Sequence, residues 1–118
     1  MNIIYWIITA LTALAFLAAG LMKLTQPREK LTPQMPWVND FPQGTVRAIG
    51  ALEVLGALGL ILPRVTGILP ALSTAAAAGL ILTMIGAATV HLRRKEPVTP
   101  AAVLGLLSAA ALWGTLQA

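Results

Sequence analysis

Glu53 is the residue that most needs explaining. It stands in the run RAIGALEVLGALGLILP, Arg47 to Pro63, with only apolar residues and glycines between the two flanking arginines, Arg47 and Arg64. A charged side chain at the centre of a lipid-embedded helix costs roughly 2.5–3.5 kcal/mol on insertion scales. An acid found there faces other helices or a wet cavity and is a functional candidate by default. Three further groups are candidates to meet it: Lys23, Arg47 and the single histidine, His91. Arg47 lies six residues before Glu53, about 9 Å along a helix axis and some 120° around it, so the two do not form an i,i+4 pair. The partner is therefore expected from another helix. Two states are open to the acid: a protonated donor, favoured by burial, or half of an ion pair, favoured by a nearby cation. Histidine is the side-chain type that titrates nearest neutral pH, so an imidazole beside such a carboxyl is a pair able to pass protons to a quinone-like head group. The bland reading makes Glu53 an interhelical clip and nothing more.

The elements that must position these groups are membrane spans. Of 118 residues 58% are hydrophobic and 10% charged, against the near-half apolar and quarter charged composition of soluble domains. At 1.5 Å per residue, four segments are long enough to cross about 30 Å of hydrocarbon: 3–24, 44–62, 70–91 and 100–117. They predict an all-α, integral membrane four-helix bundle forming one domain over 1–118. The first span reads as retained rather than cleaved, being too long for a signal-peptide core and lacking a preceding basic residue. The absence of cysteine excludes disulfides, a CxxC relay and thiolate metal sites, so no metal is expected and electron chemistry would need a bound cofactor or a partner. The net charge of +4 flanks the spans, which suits lipid head groups and not nucleic acid.

Along the chain, Ala15, Ala19 and Lys23 share one face of the first span, and Lys23 either turns inward on that face or snorkels to the head groups. Prolines 27, 33, 36 and 42 forbid a long helix in the following linker. The linker is expected as a short re-entrant or surface-lying turn, with Trp37 either an interface anchor or part of a lid over the bundle mouth. Gly50, Glu53, Gly56 and Gly59 keep small residues beside the acid, and Pro63 with Gly67 marks a turn. Ala75, Gly79, Thr83, Ala87 and His91 recur every four residues, predicting a ridge that packs on another helix and carries His91 inward. Ala101, Gly105, Ala109 and Trp113 form a similar ridge on the last span, which begins at the cap Thr99 and Pro100. Seven of the eight Lys and Arg residues fall on the side of the first and third connections, against Arg64 on the other. The positive-inside rule then puts both termini outside and the two basic loops in the cytoplasm. Lys23, Arg47, Glu53 and His91 share that half of the bilayer, predicting a cytoplasm-facing polar pocket with Glu53 at its floor.

The segments GLMKL (Gly20 to Leu24), PWVNDFP (Pro36 to Pro42), RAIGALEVLGALGLILP (Arg47 to Pro63) and AAGLILTMIGAATVHLRRKE (Ala77 to Glu96) resemble the DoxX-like family of small four-span membrane proteins. The resemblance implies a bacterial inner-membrane bundle in which Lys23, Arg47, Glu53 and His91 match the family's polar positions. It further implies a link to a thiosulfate:quinone oxidoreductase subunit, to redox-stress membrane complexes or, in a related animal branch, to receptor-assembly chaperoning. Three functional classes follow. A redox accessory subunit binding quinone or a similar amphiphile ranks first, a non-enzymatic membrane assembly factor second and a small proton-coupled transporter third. The partners expected are the lipid bilayer, a redox partner subunit and, because the small-residue ridges exceed what one bundle needs, a second copy in a homodimer.

Overall fold

In the apolar stretches, backbone groups that lipid cannot satisfy must pair within each segment, and the chain answers with long helices. A computed structural model describes residues 3–117. Helix α1 spans Ile3–Thr25, α2 is the single turn Arg28–Leu31, α3 spans Gln43–Thr66, α4 spans Ala71–Arg93 and α5 spans Thr99–Leu116; a 3₁₀ turn covers Pro36–Asp40. The four long helices are apolar and long enough to cross a membrane. No strand occurs among the described residues. Helix α3 runs on through Pro63, which sits in its last turn, and ends at Gly67, whose φ of 74° lets its N–H reach the Pro63 carbonyl at 3.0 Å.

Helix α1 packs on α3, α3 on α4, α4 on α5 and α5 back on α1, closing a ring of four. The interior is a mixture of apolar residues such as Phe16, Leu60 and Leu80 with small hydroxyls: Thr9, Thr12, Ser73 and Ser108 are fully buried, while leucines and isoleucines such as Ile7, Leu55, Leu82 and Leu106 face outward. A bundle with polar groups inside and large apolar groups outside is one built for lipid. Its long dimension, 41 Å, exceeds the roughly 30 Å hydrocarbon core.

The small-residue ridges fall differently from expectation. On α4 the buried stripe is Ser73, Ala77, Leu80 and Met84, so Ala75 and Gly79 are exposed and Thr83, Ala87 and His91 only half-buried. The larger Leu80 and Met84 win the bundle interior, and the four-residue ridge is left facing a gap beside α3. On α5 Ala101 is buried, but Ala109 and Trp113 point outward. The linker is a packed cap at one end of the bundle. Leu31, Val38 and Val46 form a second small core there, with Met22, Met35, Trp37 and Phe41 packed around it.

The backbones of α1 and α3 meet directly at two glycines. A Cβ built on Gly20 would lie 2.7 Å from the Gly50 carbonyl oxygen, and one on Gly50 would lie 2.7 Å from the Gly20 oxygen and from Lys23 Cβ. Both positions therefore exclude any side chain. Gly50→Ala is expected to push the two helices apart and cost about 1–3 kcal/mol, whereas Gly86→Ala, which meets nothing within 4 Å, should be near neutral. Reversible denaturation in mixed micelles reads the difference; equal stability of the two variants would contradict this packing.

Candidate functional site

The glycine contact sets the distance at which Lys23 and Glu53 meet. Helical side chains lean toward their own N-terminus. In antiparallel α1 and α3 this sends Lys23 into the bundle and Glu53 back toward the linker, so the two converge. Lys23 Nζ donates to Glu53 Oε1 at 2.7 Å, and the two side chains are only 6% and 3% exposed. The Trp37 ring lies over the ammonium, 5.8 Å from its centroid, and meets Phe41 edge to face at 5.8 Å. A buried charge of either sign is tolerated only when paired; each group supplies the other's counter-charge, and the indole face adds a further attraction for the cation.

This pair borders a cavity of about 540 Å³, with walls that include Ala19 on α1, Ile49 on α3, Ala87 and His91 on α4, and Trp37 and Phe41 from the linker. Lys23, Glu53, Trp37 and His91 thus line one space. Arg47 does not. The buried stripe of α3 is Val46, Gly50, Glu53 and Ala57, and one residue beyond Val46 the helix has turned about 100°, placing Arg47 on the exposed face. His91 reaches the cavity rim rather than the acid at its floor, because its Nδ1 lies 3.0 Å from Glu96 Oε1.

Sequence reasoning missed the groups that hold this rim. After α4, Lys95 takes the left-handed conformation (φ 57°), its N–H bonding the Leu92 carbonyl while that of Glu96 bonds the His91 carbonyl at 2.8 Å. This is a Schellman cap with lysine where glycine is usual, so the glycine signal that would have flagged it is missing. The cap turns Glu96 back toward His91. Arg94 then bridges two segments, donating from Nε to Glu96 Oε2 at 2.8 Å and from Nη1 to Asp40 Oδ1 at 2.6 Å. Asp40 ends the 3₁₀ turn that carries Trp37, so the charged cluster ties the linker cap to the end of α4. The other side of the cap is fixed by Arg28, whose backbone N–H donates to Gln43 Oε1 at 3.0 Å and whose guanidinium donates to the Phe41 carbonyl at 2.7 Å. The only hint in the sequence was PWVNDF followed at a distance by RRKE, which carries no spacing rule.

The hydrogen bond from Arg94 holds the Glu96 carboxyl below the ordinary carboxylate range, and Glu96, followed by Asp40, raises the Arg94 guanidinium. Among the described residues no cluster of three or more His, Cys, Asp or Glu side chains is arranged to hold a metal. Chemically, the cavity offers an ammonium donor, a carboxylate acceptor, an imidazole at the rim and aromatic faces, all within apolar walls.

The fold and this interior define a class: a four-span membrane bundle with an ion pair buried between its first and third long helices. Compared with models of known families, the chain matches the DoxX-like family over residues 7–114, and it belongs to that family. Comparison with curated proteins and with solved structures gave no match.

Two outcomes follow from the charge geometry. Glu53→Gln leaves a buried ammonium unpaired and is expected to destabilise the bundle by about 3–5 kcal/mol, while Lys23→Met combined with Glu53→Gln should recover most of that loss. A double-mutant cycle measured by unfolding in detergent tests it; strictly additive effects would contradict direct coupling. The linker cap should also loosen in acid. A carboxyl whose folded value is depressed contributes stability above its unfolded value and loses it as pH falls through the folded value. Protection of amides 36–41, measured against their intrinsic exchange rates, is therefore expected to fall below about pH 4, and Glu96→Gln should show the lower protection already at neutral pH.

Proposed function

We propose that this protein binds an amphiphile of the quinone type in the cavity beside Lys23 and Glu53 and acts as a redox accessory subunit of a larger membrane assembly. The observation that carries the reading is a nearly fully buried ion pair bordering a cavity large enough for a ring-sized head group. Lys23 suits a carbonyl oxygen of such a head group, and Glu53 suits a hydroxyl of its reduced form; the Trp37 and Phe41 faces suit a flat ring. In this reading Trp37 is part of a lid, and His91 at the rim exchanges protons between the site and the basic side. In this reading that side faces the cytoplasm of a bacterial inner membrane, the location the family resemblance implies, with both termini outside; the positive-inside pattern supports the orientation. With no cysteine in the chain, electrons reach the ligand in this reading from a bound cofactor or a partner subunit.

A second reading, a non-enzymatic assembly factor, is favoured by the direct 2.7 Å contact of the pair, which already satisfies both charges as a clip. The exposed small-residue face of α4 would then be a partner surface. A proton-coupled transporter ranks third.

The two leading readings separate on ligand binding. In lipid nanodiscs, a tailless benzoquinone is expected to bind the wild type and to bind the folded Lys23→Met/Glu53→Gln double variant at least about tenfold more weakly, the loss of hydrogen bonds to charged groups. Unchanged binding would remove the pair from the site. Native mass spectrometry of gently solubilised protein adds a second readout: retained quinone supports the first reading, a retained protein partner without quinone the second.

A further inference from the structure

The first two residues of the four-residue ridge of α4, Ala75 and Gly79, are spare in the bundle's own packing and border an open groove. Between α3 and α4 runs a furrow of about 490 Å³ whose lining includes Gly56, Gly59, Ala75, Ala76 and Gly79, with Leu55 at its edge. Gly56 and Gly59 have a packing reason to be glycine: a Cβ at Gly56 would lie 2.6 Å from Leu80 Cδ2, and one at Gly59 would lie 2.8 Å from Ala76 Cβ. These contacts bring α4 close and form the floor. Gly79 has none. A Cβ there meets nothing within 4 Å, and the same holds for Gly86, which borders the cavity. The two glycines of α4 therefore leave space that no part of the described chain fills.

The furrow and the cavity are neighbours. Leu52 and Thr83 line both, so the polar space beside Lys23 and Glu53 and the apolar one meet between α3 and α4 at these two side chains. From Leu52 to Pro63 the furrow follows α3 for about 16 Å by helical rise, directed away from the linker. A head group at one end and a channel of glycines, alanines and leucines at the other, lying parallel to the helices, match the shape and polarity of a lipid-soluble molecule standing in a leaflet.

We propose that the α3/α4 groove holds the apolar chain of the same molecule whose head group occupies the cavity, and that the ligand enters sideways from the bilayer between these two helices. The inference rests on the head-group reading of the cavity and adds the ligand class: a prenyl- or alkyl-substituted ring rather than a water-soluble one. Contiguity of the two spaces, parted only at Leu52 and Thr83, selects this occupant over a helix from a second copy, which would seat on the groove without reaching Lys23 or Glu53.

The test uses 2,3-dimethoxy-5-methyl-1,4-benzoquinone with and without a decyl chain at the remaining ring position, titrated against the full chain in nanodiscs. Gly79→Phe is expected to fill the furrow without displacing protein atoms and to weaken the decyl probe about tenfold while leaving the tailless probe unchanged. Leu106→Phe, on the outward face of α5, should change neither. Partition into lipid raises the apparent affinity of the decyl probe for every variant alike, so the comparison between variants decides. If Gly79→Phe binds both probes as the wild type does, the groove is not the chain's seat, although the cavity reading survives. If neither probe binds the wild type, the cavity reading fails and the groove proposal falls with it. Because the chain has no cysteine, Gly79→Cys supplies a unique thiol; efficient disulfide dimers under mild oxidation would show a second copy covering the furrow and would also overturn the proposal.

Discussion

The contact between Lys23 and Glu53 is the constraint on which the rest of the structure depends. Neither group is tolerable alone at that burial, and each removes the other's penalty only at hydrogen-bonding distance. That distance requires α1 and α3 to approach more closely than side chains at positions 20 and 50 would permit, which accounts for both glycines. The same pair orders the ring of helices, since it forces α1 beside α3 and leaves α4 and α5 to close the remaining sides.

The linker is the second consequence. Once α1 and α3 are joined by the ion pair, the chain between them must cover that end of the pair, and Leu31, Val38 and Val46 give the cover a core of its own. Trp37 is thereby held over the ammonium. Arg94 fixes the cover from the far side of the cavity through Asp40, so the roof is also anchored to the end of α4. Roof, floor and rim come from four separate segments, which is why the space between them is not filled by any single one.

The helical spans were legible because their apolar length leaves few alternatives in lipid, and Glu53 was legible because a lone acid in such a run needs a partner. Its partner in the structure, Lys23, was one of three candidates, and the lean of helical side chains is what selects it. Arg47 was misplaced because a shared depth in the bilayer says nothing about the face on which a residue stands. The α4 ridge was assigned to the interior on spacing, but Leu80 and Met84 form a competing stripe that buries more apolar surface, and burial went to the larger side chains. The cluster of His91, Glu96, Arg94 and Asp40 depends on a left-handed lysine and on a contact across 54 positions of sequence, and neither leaves a local trace.

The separation of the two charges along the chain bears on how the protein reaches the membrane. Lys23 stands two residues from the end of α1, whereas Glu53 stands ten residues into α3, and α1 is synthesised first. A nascent α1 keeps its ammonium near the lipid surface, where solvation costs little. When α3 emerges, its carboxylate has a waiting counter-ion and need not enter hydrocarbon unaccompanied. Biogenesis therefore favours insertion of the first two spans as a helical hairpin closed by its own charges, with α4 and α5 added afterwards to a preformed half.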